Sequence, residues 1–193
     1  MTTLHFTDDP EADRLLAEEP LALLTGMLLD QQVPMEWAFK APAILKERLG
    51  GRLNGAEIAA MAPDKLRAVF SDKPALHRYP GSMADRVHAL CEAIVDEYDG
   101  HAENIWTGVD SGDELLARLK ALPGFGDQKA RIFLALLAKR LGVTPAGWEQ
   151  AAGTYGTPGY YSIADVDGPE SLAKVREYKK AKKAAAKAAT ASA

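Results

Sequence analysis

Residues 113–141 read DELLARLKALPGFGDQKARIFLALLAKRL, and this stretch decides the fold. On each side of the central LPGFG, apolar side chains recur every three or four residues, which is the spacing of an amphipathic helix. Proline and the two glycines separate the two patterns, because neither residue type favours the interior of a helix. The stretch predicts two helices joined by a tight turn. The predicted core residues are Leu115, Leu116, Leu119 and Leu122 in the first helix, and Ala130, Phe133, Leu134, Leu137 and Leu141 in the second.

The turn of this hairpin has the composition of an anion-binding site. Gly124 and Gly126 allow a sharp reversal and a close approach of the backbone to another molecule. The N–H groups that follow open the second helix, so they point outward at its positive end, where a phosphate is stabilised. Phe125, between the two glycines, is predicted to fill the gap between the helices.

Helical periodicity continues through most of the chain, and no run alternates at period two for long enough to form a sheet. The sequence therefore predicts an all-α protein. Residues 142–162 are dense in glycine and proline and predict a loop. The other predicted helices begin at Pro20, run from Pro34 to Leu49, follow Pro63, run from an N-cap at Ser82 to Gly100, and begin near Pro169 as a short last helix.

Composition divides the chain into a body, residues 1–178, and a basic tail, residues 179–193. After Ala173 there are seven Lys or Arg residues and a single acid, Glu177, although the net charge of the whole chain is −4. An acidic body with a basic end is typical of an interaction arm. Lysine and alanine give the tail helix propensity but no apolar face to dock, so it is predicted to be disordered or a frayed helix.

Cys91 is the only cysteine, which excludes a disulfide within the chain and any four-cysteine zinc or iron–sulfur site. Asp8 and Asp9 stand where a signal peptide carries positive charge, and no apolar run approaches the roughly 20 residues that cross a bilayer. We expect a cytoplasmic protein without a membrane partner.

Two patches resemble one family. Residues 122–126, LPGFG, followed by Lys129 and Ala130, resemble the LPGxG hairpin of the helix-hairpin-helix (HhH-GPD) superfamily of base-excision DNA repair glycosylases. Residues 28–33, LLDQQV, resemble the end of an early helix in that superfamily, where a glutamine reaches into DNA opened by base flipping. Residues 74–84 and 113–143 are similar to an actinobacterial branch without an iron–sulfur cluster. The resemblance covers residues 15–175.

The resemblance implies two helical lobes with a DNA-binding cleft and the hairpin motif, in a nucleoid-associated monomer that binds double-stranded DNA. It implies no resident cofactor, except for a Na⁺ or K⁺ ion on backbone carbonyls of the hairpin. The carbonyls of that ion site are those of Lys120, Leu122 and Phe125. The DNA-binding residues that it implies are Gln31, Gln32, Gly124, Phe125, Gly126, Gln128 and Lys129.

A DNA glycosylase holds a flipped base in a pocket and cleaves the N-glycosidic bond beside a carboxylate. In the family this carboxylate is an aspartate that follows the hairpin, and alignment on Gly142 brings Glu149 to its position. Asp165 is the alternative candidate. Members that also cut the strand carry a lysine where this chain has Gln128, so the expected activity is that of a monofunctional glycosylase.

Two other functions remain open at this point. The first is a non-catalytic helix-hairpin-helix DNA-binding protein that has lost the catalytic carboxylate. The second is a metabolic enzyme or protein–protein adaptor on a helical scaffold. Salt-dependent DNA binding distinguishes the first two functions from the third, because each phosphate that is neutralised releases counterions.

Overall fold

A computed structural model describes residues 3–192 of the chain. Over this range the protein is helical, without a β-strand, and the all-α prediction is confirmed. The helices are α1 (Pro10–Glu18), α2 (Pro20–Leu29), α3 (Met35–Arg48), α4 (Gly55–Ala59), α5 (Pro63–Ser71), α6 (Pro80–Tyr98), α7 (Gly112–Ala121), α8 (Asp127–Leu141), α9 (Trp148–Ala152) and α10 (Pro169–Ala191). Short 3-10 helices occupy Ala102–Ile105, Gly153–Gly156 and Ile163–Asp165.

The predicted hairpin helices are present as α7 and α8, and their predicted core residues are buried except Leu141, which is half-buried. Prolines also begin helices where predicted, since Pro20, Pro63 and Pro169 each occupy a first-turn position. Proline suits this position because its fixed φ matches the helix, and because the N–H that it lacks would have no intrahelical partner there.

Three predicted boundaries were wrong. α6 begins at Pro80 rather than at a cap formed by Ser82, because the proline already provides a first-turn residue. The predicted loop at 142–162 contains α9 and the 3-10 helix Gly153–Gly156. The last helix is long rather than short, since α10 extends through Ala191, and the exposed tail is helical, which is one of the two forms predicted for it. Alanine and lysine are strong helix formers, and here they need no apolar face because the docked first half of α10 nucleates the rest.

The core is built around α2, in which every residue from Leu21 to Leu29 is buried. α3 packs along α2, while α4 and α5 pack on α6. α7, α8 and α9 pack on one another, and the 3-10 helix Ile163–Asp165 packs on α8. One hydrophobic cluster joins both groups of helices. The chain leaves α2 at Asp30, and this end of α2 lies against the hairpin turn, where Leu28 approaches Gly124.

No helix among the described residues combines the length and apolar character that crossing a membrane requires.

Candidate nucleic-acid interface

The hairpin turn is shaped by Gly124, whose φ of +83° lies in the left-handed region that side chains other than glycine rarely adopt. A Cβ atom at Gly124 would also lie 3.0 Å from Cδ1 of Leu28, at the end of α2. Phe125 is buried between the helices, with its ring 5.8 Å from that of Phe133 in an edge-on arrangement. The prediction that Phe125 fills the gap is confirmed, so its side chain is not available to a ligand.

The first turn of α8 presents N–H groups without partners. Gly126 is the N-cap residue and, having no side chain, leaves the helix uncapped. Within residues 3–192, the N–H groups of Gly126, Asp127, Gln128 and Lys129 donate to no protein acceptor. The first N–H groups of any helix lack intrahelical partners and bind anions when no side chain caps them.

Gly126 is not required by the fold. Its φ of −74° is available to every residue type, and a Cβ atom there would have no neighbour within 4 Å. Gly124 is explained by its own backbone conformation, whereas the glycine at 126 keeps an exposed surface free of side chain.

Asp127 places a carboxylate at this helix end, but two cations neutralise it. Its oxygens lie 3.1 Å from Nζ of Lys120 and 2.8 Å from Nε of Arg131. Hydrogen bonds from Arg131 and then Lys120 hold the pKa of Asp127 below its usual value. The carboxylate of Asp127 is therefore paired with two cations, of which Arg131 also lies near the charge of Asp113.

Lys129 does not extend toward solvent, as a phosphate contact would require. Its Nζ donates to the carbonyls of Met27 at 2.7 Å and Leu28 at 3.1 Å, in the last turn of α2. Burial lowers the pKa of Lys129 to about 8, against an opposing effect of Asp30 and with a smaller lowering effect of Arg86. Its amine therefore joins the hairpin to α2, and a contact between Lys129 and DNA stays a prediction.

The two glutamines after α2 differ in freedom. Nε2 of Gln31 donates to the Leu28 carbonyl at 2.8 Å, and its Oε1 accepts from Arg86 at 2.8 Å, so both ends of its amide are engaged. Gln32 is exposed and has a φ of +57°. A left-handed residue other than glycine costs of order 1–3 kcal/mol and is commonest at functional sites. Gln32 is therefore the glutamine whose side chain is free to contact a ligand.

His77 holds this strained segment in place. Nδ1 of its buried ring accepts the Tyr79 N–H at 3.0 Å, so the proton lies on Nε2, which donates to the Gln31 carbonyl at 2.9 Å. The exposed rings of Trp37 and Tyr79 flank His77, with centroids 6.4 Å and 6.1 Å away. A pocket of about 220 Å³ opens here, lined by Gln31, Gln32, His77, Tyr79, Ser82, Met83 and Arg86.

Asp30 is a carboxylate that the sequence reasoning did not select. It ends α2, and within the described residues its side chain accepts no hydrogen bond. Burial raises the pKa of Asp30, while the nearby charges of Lys179 and Lys129 oppose that increase. Its position within the LLDQQ patch was the only available signal, since the contact between that patch and the hairpin depends on the fold.

The two carboxylates proposed from the sequence have different surroundings. Glu149 is exposed on the first turn of α9, and its side chain makes no hydrogen bond or ion pair in the part of the chain that the structure describes. Asp165 is buried, 2.6 Å from Nζ of Lys139, and accepts the N–H groups of Tyr161 and Ser162. Asp165 is thus engaged in holding the chain before α10.

The remaining hairpin residues are only partly accounted for. Gln128 is exposed and donates to the hydroxyl of Tyr155 at 3.0 Å. Among the carbonyls predicted to hold Na⁺ or K⁺, that of Leu122 accepts the Phe125 N–H at 3.1 Å. Its second lone pair leaves room for an ion. The ion on Lys120, Leu122 and Phe125 therefore stays a prediction.

The middle of α10 brings a lysine beside the hairpin helix. A pocket of about 290 Å³ lies between Arg131 of α8 and Lys182 of α10, with Tyr155 and Tyr178 in its wall. The ring of Tyr178 lies 5.1 Å from that of Tyr161. The tail from Lys179 to Ser192 is exposed throughout and carries five lysines.

No protein-family model matches the chain, and comparisons with curated proteins and with solved structures gave no match. A functional assignment therefore depends on the residues and geometry described above.

Proposed function

We propose that this protein binds double-stranded DNA through the backbone of its hairpin and acts as a monofunctional DNA N-glycosylase of the HhH-GPD type in base-excision repair. The observation that carries the DNA-binding part is the uncapped first turn of α8. The N–H groups from Gly126 to Lys129 have no acceptor in this turn. In addition, the fold does not require a glycine at position 126. A phosphate group supplies the acceptors that these donors lack.

The surroundings of this turn support the same proposal. Lys120 and Arg131 offset the charge of Asp127, and the lysines of α10 add positive charge near α8. Gln32 is held exposed beside a pocket with aromatic and polar walls. Phosphate contacts position a protein on DNA without reading sequence, so we expect binding with little sequence preference.

Gly126→Val tests the hairpin. Its side chain would occupy the open space from which a phosphate approaches, so affinity for a duplex is expected to fall by about ten-fold or more, the value of one or two charge-assisted hydrogen bonds. Binding is measured by fluorescence anisotropy at several salt concentrations. For the wild type, log K is expected to fall linearly with log salt, by about 0.9 per phosphate neutralised.

Gly168→Val is the matched control, because Gly168 is also a helix N-cap residue with open space at its Cβ position. The residue before it, Asp167, lies near the charge of Arg140, at the far end of α8 from the hairpin. We expect both variants to keep the thermal midpoint and only Gly126→Val to lose affinity. Full-strength binding by folded Gly126→Val would reject the hairpin as the DNA contact, and salt-independent or absent binding by the wild type would favour the adaptor or metabolic-enzyme alternative.

The second candidate is a non-catalytic DNA-binding protein on the same scaffold. Two observations favour it. The Asp165 carboxylate already accepts hydrogen bonds from Lys139 and Tyr161. The exposed side chain of Glu149 makes no contact that would hold it toward DNA. Base release from duplexes that carry a broad panel of damaged or mismatched bases distinguishes the candidates. Retained DNA binding without any base release would establish the non-catalytic function.

A monofunctional enzyme leaves an abasic site, so strand cleavage is expected only after alkali treatment. Gln128 motivates this prediction, because an amide cannot form the Schiff base that a lysine forms. Lys129 has an amine of lowered pKa, but that amine is bonded to two carbonyls of α2. We expect no covalent adduct when borohydride is added to the protein with DNA containing an abasic site. A trapped adduct that disappears in Lys129→Arg would contradict the monofunctional assignment and identify Lys129 as the nucleophile.

A further inference from the structure

We propose that Asp30 is the carboxylate that faces the sugar of the extruded nucleotide and stabilises positive charge on it. The inference rests on the DNA-binding function proposed above and adds a residue to that site. It begins from the placement of α2, whose last turn touches the hairpin twice. Leu28 lies against the Gly124 backbone, and the Met27 and Leu28 carbonyls accept from Lys129.

Asp30 directly follows this last turn of α2, and its carboxylate lies near the charge of Lys129 in the first turn of α8. The next two residues, Gln31 and Gln32, line the pocket that His77, Tyr79 and Arg86 also form. A nucleobase turned out of the duplex fits a pocket of about 220 Å³, which is below the roughly 300–1,000 Å³ of pockets for drug-sized ligands. Asp30 directly precedes Gln31, which lines this pocket.

The carboxylate of Asp30 is available for such a role. It accepts no hydrogen bond from the described residues, whereas Asp165 accepts from Lys139, Tyr161 and Ser162. The charges near Asp30 are those of Lys129 from α8 and Lys179 from α10, with Arg86 of α6 close to Lys129. These cations favour the ionised carboxylate without bonding to it directly.

Burial in this position costs stability. Burial raises the pKa of Asp30 above the value in the unfolded chain, so between the two values the folded state binds more protons. Stability therefore falls as pH rises through that window and stays lower at neutral pH. A group that lowers stability at the edge of a binding surface is typical of a functional residue.

The reaction that this placement supports is hydrolysis. The C1′–N bond breaks, its electron pair leaves with the base, and the sugar becomes an oxocarbenium cation opposite the Asp30 carboxylate. Water adds to C1′ and gives a proton to Asp30, which transfers it to solvent while the base takes up a proton. A carboxylate of raised pKa is a better proton acceptor than an ordinary aspartate.

The test uses binding, so that no particular damaged base has to be found. One duplex carries a single cationic pyrrolidine in place of a sugar, and its control carries a neutral tetrahydrofuran at the same position. We expect the wild type to prefer the pyrrolidine duplex by about ten-fold and Asp30→Asn to lose that preference. Asp96→Asn, which removes an exposed charge at the far end of α6, is the matched control and should keep it.

Two further readouts separate this role from a structural one. Asp30→Asn is expected to have an equal or higher thermal midpoint, because it removes a charge that is half-buried and partly desolvated. In the wild type, the preference should disappear as pH is lowered through a midpoint above the ordinary aspartate value of about 3.9.

The proposal is overturned if Asp30→Asn keeps the preference, if the preference disappears in Glu149→Gln instead, or if the wild type binds both duplexes equally. Each of these outcomes leaves DNA binding intact. Failure of the wild type to bind any duplex would reject the proposed function itself, and this inference with it.

Discussion

Asp165→Ala is expected to lower the free energy of unfolding by about 3–5 kcal/mol, the usual cost of removing one partner from a buried ion pair. The change leaves the Lys139 ammonium, whose side chain is 15% exposed, facing an empty site. It also removes the acceptor for the N–H groups of Tyr161 and Ser162, which shape the 3-10 helix before α10. The measurement is urea denaturation followed by circular dichroism, with the free energy obtained by linear extrapolation.

Asp85→Ala provides the control, since Asp85 pairs with Arg67 through two hydrogen bonds but is exposed. Exposed pairs are screened by solvent and contribute little, so this variant should unfold close to the wild type. If Asp165→Ala unfolded like Asp85→Ala, the buried pair would contribute nothing to stability, and Asp165 would return as a candidate for the catalytic group.

The hairpin could be predicted from sequence because its information is local. Leu115, Leu119, Phe133 and Leu137 mark the buried faces of α7 and α8 by spacing alone, and a positive φ at Gly124 follows from the tight turn. α9 was not predicted, for two reasons. Its five residues lie among glycines, and a helix this short forms only because it packs against α7 and α8.

The site could be predicted only in part, because its chemistry joins segments that are distant in sequence. Lys129 has the sequence context of a surface residue, and only the fold brings it to Met27 and Leu28, about a hundred residues earlier. Asp30 has the same explanation, since the charges near it, Lys129 and Lys179, belong to the hairpin and to α10. Alignment of a carboxylate after the hairpin led to Glu149 and Asp165, but only tertiary structure shows that one is exposed and the other is already bonded.

The helical form of the tail increases the effect expected from its charges. Ser171 and Val175, near the start of α10, are buried and direct this helix past α8. There Lys182 lines the same pocket as Arg131. The lysines after it are held on one continuous helix beside the proposed DNA-binding surface, instead of being spread over a mobile chain. Because their side chains are exposed and Lys180 to Ser192 contribute nothing to the core, they can be changed without disturbing the fold.

Replacing the four lysines after Lys179 by glutamine is therefore expected to weaken duplex binding by about ten-fold or more and to reduce the salt slope by about 0.9 for each phosphate that is no longer neutralised. The thermal midpoint should not change. Lys179 is kept because it lies near Asp30.

A matched pair of double variants controls for net charge. One is Lys183→Gln with Lys187→Gln in the tail, and the other is Lys65→Gln with Lys73→Gln at exposed positions away from the tail. Equal reductions in affinity in both doubles would mean that overall charge, rather than the position of α10, determines affinity. A large fall in thermal midpoint would instead show that the tail packs against the body and stabilises the fold.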